Sequence, residues 1–251
     1  MKKNFCIYML WGMLLGILTG CSENEKVGSG EGTLGVVLLT DSIHNVVSTR
    51  ATGPDVNAFA VEIWEEKTLF KQFASFQELK NTGTLRITVG KTYVIKACQP
   101  GEMPEVGDYP YYGGESDPFV AREGFNPVSI VCTMQNVKVT VKLDPGLLEK
   151  IKDDYTVQIS NGTKEGIWSG SAADFDSSTY ESGINYFKAD GSLTVTMSGH
   201  SNAYDPAEPF SIEKIIAVAP NDDVKITIGV KNDAAKEVSS RMLNVKMTVE
   251  K

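Results

Sequence analysis

An all-β fold of two antiparallel β-sandwich domains in tandem, with little helix, is what this sequence predicts. Three observations carry that expectation. Short runs of β-branched and aromatic residues, many with apolar residues at every second position, are bounded by Gly, Pro, Asn and Asp. No sustained helical period competes with them. The runs fall into two successive sets divided near Gly124 to Val128, which places an N-terminal domain at 33–125 and a C-terminal domain at 126–251.

In the first set, Leu34 to Leu39 reads as a buried strand ended by Asp41-Ser42. Val56 to Trp64 and Thr68 to Phe73 flank the charged turn Glu65-Glu66-Lys67 and predict a hairpin. Phe76 to Leu79 predicts one helical turn. Thr84 to Val89 leads through Gly90 into Thr92 to Ala97, where a flexible corner sits beside a half-buried Tyr93. Pro100 to Gly114 has no periodicity and reads as a loop. It carries Tyr109, Tyr111 and Tyr112 beside Asp108 and Glu115. Tyrosines with acids on an exposed loop suit a sugar- or partner-binding surface, and tyrosines folded back to cap a sandwich give the same sequence.

Asn126-Pro127 punctuates the chain, and Val128 to Leu143 follows as the longest β-signal. Val137, Val139 and Val141 face one way and Lys138, Thr140 and Lys142 the other, so the strand has one dry and one wet face. Pro145-Gly146 ends it, with a helical turn expected through Leu147 to Ile151. Strands are then expected at Tyr155 to Ile159, Gly166 to Trp168, Tyr186-Phe187, Leu193 to Met197, Phe210 to Val218, Val224 to Val230 and Met242 to Val249, with a hairpin signal at Asn161-Gly162.

Upstream of the first strand, Lys2 and Lys3 precede an apolar run from Phe5 to Leu18 of signal-peptide length, shorter than the roughly 20 residues a bilayer span needs. Leu18-Thr19-Gly20-Cys21 reads as a lipobox, which makes 1–20 a lipoprotein signal peptide and Cys21 the lipidated N-terminus. Acyl chains such as palmitate, more than one per molecule, give stable membrane attachment. Residues 21–32 read as a flexible tether, acidic at Ser22 to Glu25 and Gly/Ser-rich after it. Loss of Lys2 and Lys3 with the signal takes the net charge from −8 to −10. That balance argues against nucleic acid as a partner.

Cys6 leaves with the signal, so Cys98 and Cys132 are the thiols left in the folded part. A disulfide between them and a pair of free thiols in strands both fit, since bonding requires Cα atoms within about 7 Å. Catalytic motifs are missing: His44 and His200 stand far apart, and no metalloprotease, nucleophile-elbow, P-loop or zinc spacing occurs. The expectation is therefore no enzyme, no cofactor and no metal. The acid pairs Asp153-Asp154, Asp222-Asp223 and Asp174 with Asp176 read as solvated turn residues rather than as glycosidase or calcium groups.

Taken together, the lipobox, the strand Gly35 to Thr40, Thr49-Arg50-Ala51, the strand Phe59 to Ile63, Gly90 to Ala97 and Val131 to Val139 resemble the fimbrillin-like lipoproteins of Bacteroidales, related to type V pili, and more closely a related group of surface lipoproteins from the same bacteria. The resemblance implies transthyretin-like sandwiches and a lipid-anchored protein of the outer membrane, facing the cell exterior. It implies a role in cell adhesion as a fimbrillin-like adhesin or pilus component: anchor, tip or subunit. In that family a trypsin-like protease cuts after a basic residue behind the first strand, and a neighbouring subunit donates a strand to the vacated groove; Arg50 before Ala51 matches that position. Anchor-type members are not cut, and Arg50 also reads as a plain residue of a polar loop. Partners implied are the membrane through the lipid, other pilus subunits by strand donation, and host or glycan ligands. The alternative function is a glycan-binding surface lipoprotein of a polysaccharide-uptake system, for which the tyrosine loop, Trp64 and Trp168 are the supporting residues.

Overall fold

The computed structural model describes residues 30–40, 54–189, 191–202, 207–230 and 245–251. β1 (Glu31–Thr40) turns Leu34 and Leu38 inward and Val37 and Leu39 outward. A short 3-10 turn at Val56–Ala58, capped by the Asp55 carboxylate, leads into β2 (Ala60–Glu65) and β3 (Thr68–Phe73). These form the expected hairpin, with Glu66 in the left-handed region at φ 57°. The helical turn is α1 (Phe76–Asn81): the Ser75 hydroxyl accepts the Glu78 N–H, the Glu78 carboxylate accepts the Ala74 N–H, and Phe76 and Leu79 are buried. β4 (Leu85–Thr88) turns at Gly90, φ 82°, into β5 (Thr92–Cys98).

The stretch expected to be a plain loop holds two strands, β6 (Val106–Gly107) and β7 (Tyr112–Glu115). β8 (Phe119–Val120) and the long β9 (Gly124–Met134) complete this half. The strand order is β3-β2-β5-β7-β9-β1-β4, with β8 beside β5. β9 pairs with β1 over 124–132 and with β7 at 133 and 134, so the sheet bends there and encloses one core. Phe59, Val61, Ile63, Ile95, Ile130 and Cys132 are among its fully buried members.

Tyr93 belongs to the same core. Its hydroxyl donates to Glu65 Oε2 at 2.6 Å and accepts the Thr88 N–H at 3.0 Å, and burial above all raises its pKa. Tyr93→Phe leaves that N–H and a carboxylate without their partner, and is expected to cost about 1–3 kcal/mol. A lowered urea midpoint with an unchanged m-value is the expected readout.

The second half consists of β10 (Asn136–Leu143), α2 (Pro145–Leu148), β11 (Thr156–Ser160), β12 (Ile167–Ser171), β13 (Asn185–Lys188), β14 (Ser192–Ser201), β15 (Glu208–Ala217), β16 (Asp223–Val230) and β17 (Val245–Glu250). Two sheets, β17-β16-β10-β13-β6 and β12-β11-β14-β15, sandwich Val139, Leu143, Ile159, Phe187, Met197 and Ile226. The helical turn at α2 starts two residues before the expected Leu147, because Asp144 caps it by accepting the Gly146 N–H and Pro145 opens it. The C-terminal run is the last strand of the sheet, antiparallel to β16; Met242 to Asn244 lie outside the described residues.

Three expectations are corrected. The fold is all-β as expected, but its pairing is mixed: β1 runs parallel to β9, and β10 parallel to β16. The cores divide between Met134 and Val137, rather than at the expected 125/126 boundary, which falls inside β9. Asn126-Pro127 misled because its turn chemistry is satisfied locally: the Asn126 side chain binds the backbone of Arg122, Gly124 and Thr33 while Pro127 stays in the strand. The single strand Val128 to Leu143 is two strands, split at Gln135.

The halves are clasped together. Fully buried Asn136 accepts the Tyr111 N–H at 3.1 Å and donates to the Tyr109 carbonyl at 3.2 Å, while its own carbonyl accepts from Asn221. β6 extends the C-terminal sheet beside β13. Glu105 binds Lys188 at 2.8 Å and Asn161 at 2.8 Å, and Lys188, then Asn161, hold its carboxyl below the usual range.

Candidate functional site

Cys21, Arg50 and Ala51 lie outside the described residues. The strand between them in sequence, β1, is described. It sits between β9 and β4, parallel to the first over Gly32 to Thr40 and antiparallel to the second over Glu31 to Leu34. Its seat is tight: a Cβ on Gly32 would run into the Arg122 carbonyl, and one on Gly35 into the Phe125 ring. Leu34 and Leu38 close the core from this side. The exposed ion pair of Glu31 with Arg86, at 2.6 Å, adds little to this. Removal of β1 would leave backbone edges on β9 and β4 unpaired and core side chains uncovered. The outer face of this seat is apolar, with Val37 54% exposed, Leu39 50% and Phe125 69%.

Cys98 and Cys132 are free thiols. The structure does not bring them together. β5 and β9 are separated by β7, and the strand alternation turns Cys132 into the core while Cys98 faces out. Burial, with Cys98 as a smaller contribution, pushes the Cys132 thiol up to about 11.

The three tyrosines separate. Tyr109 is 54% exposed, whereas Tyr112 is 6% exposed and packs in the N-terminal core. Tyr111 faces out; its hydroxyl lies 2.9 Å from the carbonyls of Gln99 and of Gly101, and burial, then Cys98, raises its pKa. Tyr112 thus caps the core, while Tyr111 stands on the outer face. Trp168 lies over Gly170 and meets Phe175 edge-on, while Trp64 donates its indole N–H to Glu62 and lies under Lys96.

Five of the six acids in the acid pairs are engaged in turns or ion pairs, although Asp223 Oδ1 is buried without a partner. Asp174 accepts from the backbone and hydroxyl of Ser171. Asp176 accepts from Ser178 and Thr179, and the Ser178 hydroxyl first, then backbone N–H groups, bring its carboxyl down to about 2. Asp154 faces His200 at 2.7 Å, Asp222 binds Lys251, and Asp223 binds Lys138. Among the described residues no three His, Cys, Asp or Glu side chains are grouped to hold a metal ion, and no helix is long and apolar enough to cross a membrane.

Sequence reasoning missed the small residues of the outer face. Ala60, Cys98, Gly113 and Thr133 are brought into one row by the registers of β2, β5, β7 and β9. That pairing is non-local, and no motif announces it.

Solved structures with a similar course include a candidate cell adhesion protein from Bacteroides eggerthii DSM 20697, at 12% identity over 88% of this chain and 95% of that one, TM-score 0.47. The fimbrial anchor protein Mfa2 from Porphyromonas gingivalis is similar at 12% identity over 87% and 97%, TM-score 0.47. A fimbrial assembly protein from Parabacteroides distasonis ATCC 8503 is similar at 12% identity over 88% and 94%, TM-score 0.40. No curated protein matches. Residues 30–251 match the family described as a domain of unknown function (DUF4493), and the chain belongs to that family.

Proposed function

We propose that this is a non-enzymatic, lipid-anchored protein of the outer-membrane surface, acting in cell adhesion as a fimbrillin-like adhesin or pilus component. The observation that carries the reading is the position of β1. In sequence it lies between the lipobox cysteine, Cys21, and Arg50, and in the fold it fills a seat between two other strands. With the chain uncut, Cys21 tethers a complete domain and the protein is an anchor. With a cut after Arg50, lipid and strand leave together, and the edges of β9 and β4 accept a strand from a neighbouring subunit.

Surface labelling of intact cells, followed by electrophoresis without boiling, tests this. Labelled chain in high-mass forms that collapse on boiling is expected. A labelled chain that runs only as a monomer would remove the pilus part of the reading, and an unlabelled chain would remove the surface part.

A further inference from the structure

The outer face of the N-terminal sheet carries a trough distinct from the seat of β1. Directly opposed residues on neighbouring strands share a face. The registers therefore put Ala60, Cys98, Gly113 and Thr133 in one outward row across β2, β5, β7 and β9. All four side chains are small. The next row along the strands holds Glu62, Lys96 and Glu115, which are long and charged. On the other side stand Tyr111 and Gln135, whose backbones are joined by the Gln135 N–H to Tyr111 carbonyl bond at 2.7 Å. A small floor between two tall walls makes a groove of about 560 Å³. Four strands at about 4.8 Å spacing make the floor roughly 14 Å long.

Neighbours hold the walls in place. Glu62 accepts the Trp64 indole N–H at 3.0 Å, and Lys96 pairs with Glu115 at 3.2 Å while standing 5.7 Å over the Trp64 ring. Each carboxylate has acceptor capacity beyond that one partner. The Gln135 amide is fixed by the carbonyls of Gly113 and Thr133, and the Tyr111 hydroxyl by those of Gln99 and Gly101.

The chemistry of the groove selects its occupant. Two carboxylates against one ammonium leave the walls net negative, on a chain of charge −8, which opposes phosphate, sulfate and acidic sugars. A peptide laid across these strands would find no sheet edge to pair with, because β2, β5, β7 and β9 each have strand partners on both sides at this row or beside it. Val131 and Met103 also line the groove, but an acyl chain seated there would desolvate Glu62, Lys96 and Glu115 without giving them hydrogen-bond partners. A polyhydroxyl chain fits: its hydroxyls donate to fixed carboxylates and accept from Lys96, and its C–H faces lie on the flat floor. We propose that this trough binds a neutral oligosaccharide lying across β2, β5, β7 and β9.

Cys98, on the floor, is a built-in reporter, and Cys132, buried on the opposite face, is an internal control. The full chain is alkylated with iodoacetamide in the presence of neutral gluco-, galacto-, manno- or xylo-oligosaccharides, and each cysteine is followed by peptide mass spectrometry. At least one of these is expected to slow Cys98 alkylation about fivefold, as ligand at about four times its Kd would, with Cys132 unchanged. The double variant Glu62→Gln, Glu115→Gln is expected to lose the protection while keeping the wild-type melting temperature; Lys96→Met serves as the second variant if the first does not fold. Absence of protection by every sugar overturns the proposal. So does protection that persists in a folded variant, or equal protection by a neutral extended peptide.

Discussion

A chain beginning at Ala51 is expected to lose its N-terminal domain as an independently folded unit, while the C-terminal sandwich stays folded. β1 contributes two buried leucines, Leu34 and Leu38, to the first core. Each is worth about 1.5–3 kcal/mol of burial. The strand also satisfies one edge of β9 over Gly124 to Cys132 and the inner edge of β4. Against a domain stability of about 5–15 kcal/mol, that loss is decisive. The C-terminal core draws nothing from β1. Hydrogen exchange should therefore show lost protection in β4 and β9 and retained protection in β10 and β16. A synthetic Glu31–Thr40 peptide added in trans should restore the lost protection. Equal protection with and without residues 1–50 would mean that β1 is ornamental and that the seat is no switch.

The second large effect is expected at Asn136. Its side chain is the partner of the Tyr111 N–H and the Tyr109 carbonyl in the joint between the cores. Asn136→Leu takes that partner from both groups in a part-buried joint, at about 1–3 kcal/mol for the pair. The cost falls on the contact between halves rather than on either core. The single unfolding transition expected of the wild-type chain should therefore split into two, read by calorimetry. Glu105→Ala, at the clasp with Lys188 and Asn161, should have the smaller effect, because the Lys188 side chain is 36% exposed and the Asn161 amide also reaches the Glu105 carbonyl at 3.4 Å. A single transition in Asn136→Leu, shifted no further than in Glu105→Ala, would show that the halves are coupled by something else.

Much of this architecture was legible in the sequence, and the misses have physical causes. The β2–β3 hairpin, the Ser75-capped turn and the wet and dry faces of β10 follow from local chemistry, which a linear reading can see. The division between domains was also visible in principle. Inward residues fall on even positions at Ile130, Cys132 and Met134 and on odd positions at Val137, Val139 and Val141, a phase flip that marks passage from one core to the next. Asn126-Pro127 drew attention away from it. The parallel pairing of β1 with β9 joins segments about ninety residues apart, and no local pattern encodes that register. β6 is two residues long and owes its strand geometry to β13, so no period could announce it. At the candidate site, alternation alone tells Tyr111 from Tyr112 once β7 is placed, but the row of Ala60, Cys98, Gly113 and Thr133 exists only after four strands are paired.

The most direct test of the proposed role is the identity of the N-terminus on the cell surface. Intact cells are treated with an external protease, and the chain is analysed by mass spectrometry before and after. The expected result is a form that begins at acylated Cys21, or at Ala51 where Arg50 is cut, and that disappears on protease treatment. A chain that retains Met1 to Gly20 and survives the protease would contradict it.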